Sequence, residues 1–473
     1  MTTPPSDPTG TVSAPVPPPG CPAHAQGPSG LRRLYGPEAE GSPHALYGTL
    51  RQEHGQVARV LLPGDVPVWL VLGHRENLEV MRTPSLYSCD SRRWNVQLPP
   101  DSPLLPITMW QPLVAFADGV EHARLRNAIT ESLGRFNRHG VRRYVVRYTN
   151  QLIDGFAATG QADLVADFAE KLPILVLSRL FGIQEKDALP LGEAVRDMVK
   201  GTATALQSNQ FVVDTMQTLI KRKKDRPGED FVSWLLSHEA GLTDDEVMEH
   251  LRHSLVAATE PTINLIANAL RMVLTDRRFR GNLSGGQMTL PDALEKVHWD
   301  DPALPVVPTR WATGDTVLGG QQIKAGDMVM LGLAAGNVDP EIRPDLAASV
   351  YGNRSHLAFS GGPHECPGQD IGRAIADTGI DTLLARIPDI ELAVHEGELH
   401  VTASWFSRRL DNLPVRFTRK AVGGAAASAP GSAPSVAQPL PAAAPVAAPA
   451  PASAPVATEG RTPWWRRLVQ RLR

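Results

Sequence analysis

The chain has 473 residues, 42% of them hydrophobic, and a formal net charge of −3. That length can bury the core of one large domain or two smaller ones, and the near-neutral balance excludes nucleic-acid binding driven by net charge. Cys21, Cys89 and Cys366 form neither a CxxC pair nor an even disulfide set, which points to a reducing cytoplasm and away from a zinc site.

Residues 1–30 hold no Lys, no Arg and no apolar run, so they read as a disordered, Pro-rich N-terminus, neither signal peptide nor membrane anchor. Val57–Leu72 alternates around Pro63-Gly64-Asp65 and is rich in Val, Leu and Trp, the pattern of a β-hairpin. Tyr87–Phe116 is long, Pro-rich and aperiodic, with Trp94 and Trp110. Long irregular segments in compact domains tend to be functional lids. Asp118–Thr130 has a helical pattern, with His122 and Arg126 at i and i+4 on one face. Two donors side by side suit a pair of buried carboxylates, although a solvated basic face is the default for such a pattern.

Residues 140–250 read as successive amphipathic helices. The basic run Leu219–Asp230 interrupts them and is expected as an exposed loop. His253–Leu274 is more apolar than a surface helix and contains Thr259, Glu260, Pro261 and Thr262. A proline there removes one helical hydrogen bond and presses on the carbonyl four residues back, at Ala257. Asp292–Pro302 carries Glu295 and His298 at i and i+3. Thr316–Leu333 gives short strands between turn glycines, and His400–Phe417 a last hairpin with its tip at Ser404–Ser407.

The most informative stretch is HLAFSGGPHECPGQDIGRAIA, His356–Ala376. Gly361, Gly362 and Pro363 make an irregular loop in which backbone can approach a ligand closely. From Gly368 onward Ile371, Ile375, Thr378, Gly379 and Leu383 fall at helical spacing, so a helix begins just after Cys366. A cysteine at that place faces free N–H groups and the positive helix end, which favour the thiolate.

The pattern Phe359-x-x-Gly362-x-His364-x-Cys366-x-Gly368 resembles the haem-binding loop of the cytochrome P450 family. The resemblance covers residues 31–418 and implies a mainly α fold with small β-sheets around haem b. It implies that the Cys366 thiolate ligates the iron and pushes electron density toward O–O cleavage. His122, Arg126, Arg310 and His364 would then hold the haem propionates, with Phe359 and Gly368 in the ligand loop. His253–Leu274 resembles the family's distal helix, A-[AG]-x-[DE]-T-T, with Glu260 at the acidic position. The alcohol that normally follows is Pro261 here, so Glu260 and Thr262 are the proton-delivery candidates. Asp292–Pro302 stands where the family has ExxR, with His298 in place of the arginine. The usual third partner, a later arginine, would fall near Leu346, where none stands, and His298 is expected as the donor to Glu295. Position 367, usually small and aliphatic, is Pro367, which removes one N–H from the neighbourhood of the sulfur.

Residues 419–460 are Ala/Pro/Ser/Val repetition, a semi-extended linker. Residues 461–473, RTPWWRRLVQRLR, separate Trp464, Trp465, Leu468, Val469 and Leu472 from Arg466, Arg467, Gln470 and Arg471 on a helix too short to span a bilayer. That basic amphipathic helix would dock on the inner membrane surface or on a partner protein, tethering a cytoplasmic enzyme. The expected activity is a haem-thiolate monooxygenase that oxidises a small apolar molecule with O2 and electrons from a separate ferredoxin and its reductase. The alternatives are a peroxide-driven enzyme of the same fold and a non-catalytic haem-binding or membrane-recruited partner protein.

Overall fold

The hairpin expected from alternation is the starting edge of the main sheet. β1 (Val57–Leu62) and β2 (Val66–Val71) pair antiparallel from Val57↔Val71 to Leu62↔Val66. The turn between them needs left-handed backbone at Gly64 and Asp65, and Asp65 is fixed there by Arg33 at 2.8 Å and the Tyr35 hydroxyl at 2.6 Å. A computed structural model describes residues 30–420 except 37, 38, 40, 287 and 351. The expectations for residues 1–29, for the linker beyond 420 and for the basic helix at 461–473 lie outside the described residues.

The further strands in chain order are β3 (Tyr87–Ser88), β4 (Gln161–Asp163), β5 (Val307–Ala312), β6 (Thr316–Leu318), β7 (Gln321–Ile323), β8 (Met328–Leu331), β9 (Glu391–Leu392), β10 (Val401–Ala403), β11 (Arg408–Leu410) and β12 (Pro414–Arg416). The main sheet runs β1-β2-β8-β5-β3; β4-β12-β9, β6-β7 and β10-β11 are separate. The last pair is the expected C-terminal hairpin, closed at its tip by the Ser404 N–H on the Ser407 carbonyl at 2.7 Å.

The rest is helical. The longer helices are α1 (Pro43–His54), α2 (His74–Arg82), α3 (Gly119–Gly134), α4 (Arg138–Phe156), α5 (Leu172–Phe181), α6 (Glu185–Lys200), α7 (Ala205–Asp225), α8 (Phe231–Leu236), α9 (Asp244–Thr275), α10 (Arg277–Ser284), α11 (Leu290–Asp300) and α12 (Gln369–Arg386). The basic run corrects one expectation. It continues α7 as far as Asp225, because Lys and Arg are good helix formers and favour a helix C-terminus. Lys223 and Lys224 are then taken up by Asp230 at 2.5 Å and Asp244 at 2.6 Å.

The 32-residue α9 begins with a reciprocal cap, Thr243 with Glu246, and keeps Pro261 inside it. It lies against α5, α6, α7, α11 and α12, so its apolar residues, Leu255, Ile263, Ile266 and Leu270 among them, form the spine of the helical core. A second core gathers the irregular 87–116 segment and the C-terminal hairpin. Trp94, Leu98, Leu104, Ile107 and Trp110 belong to the same cluster as Trp405 and Phe406. No helix among the described residues is long and apolar enough to cross a membrane.

Candidate active site

Cys366 lies between a single 3-10 turn, Gly362–His364, and Gly368, the N-cap of α12. Its N–H donates to the Phe359 carbonyl at 2.9 Å, which closes the loop on itself. The N–H groups of Gly368 and Gln369 donate to the sulfur, and Pro367, having no N–H, cannot. One expectation is corrected here. Burial outweighs these donors and the Arg126 charge and pushes the free thiol up. A thiolate at this position would therefore require a bound metal, which deprotonates a coordinating thiol outright. Gly362 has φ +66°, and a Cβ there would stand 2.3 Å from the Met81 carbonyl oxygen. The close approach that glycine permits is to the end of α2.

Beside the loop, the rings of His122 and His364 lie 4.1 Å apart. Arg310, on β5, is buried and donates at 2.9 Å to the Thr309 carbonyl, next to a left-handed Thr309 at φ +87°. Nε2 of His122 is buried with no partner among the described residues. Burial first, then His364, Arg126 and Arg310, hold the His122 imidazole down to about 4, with Asp118 opposing. Cationic and donor groups thus converge on one place and repel one another. Such a cluster fits a ligand that brings two carboxylates, and the orphaned His122 nitrogen is a donor or acceptor awaiting one. The haem propionates meet that requirement.

His364 is positioned by residues the motif does not contain. Its Nε2 lies 3.2 Å from Cys89 Sγ and 3.7 Å from Asp118 Oδ1. Asp118 is held in turn by the Ser88 hydroxyl at 2.5 Å and the Cys89 N–H at 3.0 Å. Burial pushes the Cys89 thiol up to about 12, so it stays protonated as a hydrogen-bond partner. Arg124, on the same helix, turns away to Glu121 and Glu246.

Glu295 gives the clearest correction. Its carboxylate is 1% exposed and is held by His356 Nε2 at 2.8 Å and by Arg373, with Arg354 at 3.7 Å. His298 is not its donor: both ring nitrogens are buried without a partner among the described residues. The His298 ring instead packs 4.9 Å from His356 and 4.8 Å from Phe359, and burial takes its pKa well down. Against the pull of burial, His356 and Arg373 hold the Glu295 carboxyl at about 2. Phe359 lies under the Arg373 guanidinium, 4.7 Å from Cζ to ring centre, so it joins this cluster to the cysteine loop. The region near Leu346 does have a buried arginine, Arg343, but it pairs with Asp300 at 3.0 Å and donates to the Leu346 carbonyl at 3.0 Å. The replacement for the missing ExxR arginine is Arg373 on α12, seven residues after Cys366. Another cation on that helix's first turns was the signal available in the sequence.

On α9 the Thr262 hydroxyl donates to the Ala258 carbonyl at 2.7 Å. Glu260 is buried and faces Arg409, Oε2 to Nη1 3.4 Å. The two residues are one turn-fraction apart and are not hydrogen-bonded to each other among the described residues. Burial pushes the Glu260 carboxyl up to about 7, with Lys200 and Arg196 opposing.

No family model matches the chain. The chain is 30% identical over 397 residues to the cytochrome P450 monooxygenase PikC of Streptomyces venezuelae, covering 81% of this chain and 93% of that one. It is 29% identical over 394 residues to the vitamin D(3) 25-hydroxylase of Pseudonocardia autotrophica, with coverages of 79% and 93%. Among solved structures, the myxobacterial cytochrome P450 CYP267B1 in complex with myristic acid superposes with a TM-score of 0.73 at 27% identity, covering 82% of this chain and 99% of that one.

We expect Arg373→Ala to destabilise the fold by about 3–5 kcal/mol in urea unfolding, because it strips a buried carboxylate of a charged partner. His298→Ala, which leaves Glu295 with both donors, should fall short of that loss; equal losses would contradict the pairing. Because the Glu295 carboxyl is held at about 2, below its ordinary 4.5, its stabilisation is present above that ordinary value and is lost as pH falls through about 2. Stability measured against pH should therefore decline across that window in the wild type, and Glu295→Gln should flatten the decline.

Proposed function

The chain belongs to the cytochrome P450 family, and from that premise we propose that it is a haem-thiolate monooxygenase in which Cys366 ligates the iron, a small apolar molecule is oxidised and a separate ferredoxin supplies electrons. Membership makes it an oxidoreductase with haem b as cofactor. The observation that carries the site assignment is the convergence of His122, Arg126, Arg310 and His364, with His122 Nε2 left without a partner among the described residues, beside a buried cysteine whose sulfur receives two N–H groups.

Haem b, when bound, supplies the iron at which O2 is activated, so that one oxygen atom enters the substrate and the other leaves as water, with two electrons and two protons consumed. The protein's own residues do the rest. Gly368 and Gln369 fix the sulfur's position, and the four donors neutralise the propionates and set the haem's orientation. Phe359 packs against the ligand loop. Trp94, Trp110, Trp405 and Phe406, from the irregular segment and the hairpin tip, belong to one apolar cluster, which suits an apolar substrate. Vitamin D(3) and myristic acid, named with two of the relatives, are ligands of the same kind. Glu260 holds a proton near neutral pH because burial raises its carboxyl to about 7, where a general acid is most effective. Thr262 has its hydroxyl proton engaged by Ala258, and its oxygen remains able to accept one.

That engaged hydroxyl, together with Pro261 in the place of an alcohol, favours hydrogen peroxide as the alternative oxidant. The test is turnover by the haem-loaded full chain with a panel of small apolar substrates, reduced ferredoxin, its reductase and isotopically labelled O2. We expect labelled oxygen in a product whose formation requires ferredoxin. Product formed with hydrogen peroxide and none with reduced ferredoxin would remove the ferredoxin arm, and tightly bound haem without turnover under either condition would overturn the monooxygenase reading.

A further inference from the structure

The C-terminal hairpin meets the distal helix α9 at two points in matching register. The Asn264 side-chain amide donates to Ser407 Oγ at 3.4 Å, and Arg409 reaches Glu260 at 3.4 Å. Two residues along a strand advance by ~6.6 Å, and four residues along a helix by ~6 Å. The spacing of Ser407 and Arg409 is thus close to that of Asn264 and Glu260.

Arg409 has a second partner. Its other terminal nitrogen pairs with Glu170, just after the π-helical turn Val165–Ala169, and Glu170 also pairs with Arg196 of α6. Glu170, Arg409 and Glu260 are each less than one-tenth exposed at the side chain, whereas Arg196 is 30% exposed. A line of alternating charge thus runs from the partly exposed face of α6 to the acid on α9. Glu260 faces Arg409 of the hairpin at 3.4 Å and the charges of Arg196 and Lys200 from α6, with Glu170 paired to Arg409 and Asp411, next after β11, acting on Arg409.

We infer that Arg409 is the positioning residue for the Glu260 carboxyl, and that Glu170 and Arg196 hold Arg409 in turn, so that the hairpin sets where the distal acid sits and how tightly it holds its proton. A guanidinium does not give up its proton in proteins, so Arg409 orients and tunes and carries no proton itself. In this arrangement the proline at 261 is offset by a fixed acid: the carboxyl is aimed by the Arg409 guanidinium where a neighbouring hydroxyl would otherwise share its proton. This role rests on the monooxygenase reading, but its test does not require turnover.

The experiment is infrared spectroscopy of the haem-loaded full chain across pH, following the part of the protonated-carboxyl band that Glu260→Gln removes. Removing a neighbouring cation makes a carboxyl hold its proton more tightly, and removing a neighbouring anion does the opposite. We expect Arg409→Met to move the midpoint up by about one pH unit, a tenfold change in proton affinity. Glu170→Gln should move it down, and Arg409→Lys should restore most of the wild-type value. Midpoints unchanged in both variants, or moved the same way by general loosening, would overturn the assignment. If Arg409→Met does not fold, Glu170→Gln decides alone: a downward shift supports the role, and no shift or an upward one refutes it. The carbon monoxide spectrum of the same reduced sample reports thiolate ligation independently, so failure of the charge chain and failure of the haem-thiolate reading are distinguishable.

Discussion

A carboxylate taken out of water must be paired or it unfolds its surroundings, and Glu295 is such a group. It is 1% exposed, and its two principal donors come from either side of the cysteine loop. His356 opens the segment that leads into the loop, and Arg373 stands on the helix that leaves it. Phe359 lies between, beneath Arg373 and against His298, and its carbonyl receives the Cys366 N–H. The charge on Glu295 therefore clamps both ends of the loop that presents Cys366. That clamp is what the ExxR arginine would otherwise help to make, and here it is built from different residues around the same glutamate.

Much of this was legible in the sequence because it depends on local spacing. The Val57–Leu72 hairpin, the helix after Gly368 and the last hairpin were readable from periodicity and turn residues, and the cysteine loop from its fixed offsets. The His122–Arg126 pair was readable for the same reason, since i and i+4 on a helix share a face. The partners of Glu295 were not. Proximity in sequence favoured His298, three residues away, but its ring is occupied with His356 and Phe359, and the true donors are 61 and 78 residues distant. The Leu219–Asp230 run failed for another reason. Its charge suggests a loop, but helix propensity with cations at a helix C-terminus prevails.

The distal side shows the same division. Glu260, Pro261 and Thr262 are placed by the helix pattern, but what each side chain touches is decided by elements far along the chain. Thr262 turns back onto its own helix at Ala258, and Glu260 turns to a strand 149 residues later. The local motif therefore places these residues on one helix and is silent on how they are held. The site combines a glycine-rich cysteine loop with supports drawn from distant parts of the chain, His356 and Arg373 at Glu295 and Arg409 at Glu260.

The most direct test of the account is the absorption spectrum of the purified, reduced protein exposed to carbon monoxide. The account predicts a Soret band shifted far to the red, the sign of a thiolate ligand, and its loss in Cys366→His, which offers a neutral ligand from the same position. A wild-type protein that binds no haem, or one whose band is that of a neutral ligand, would contradict it.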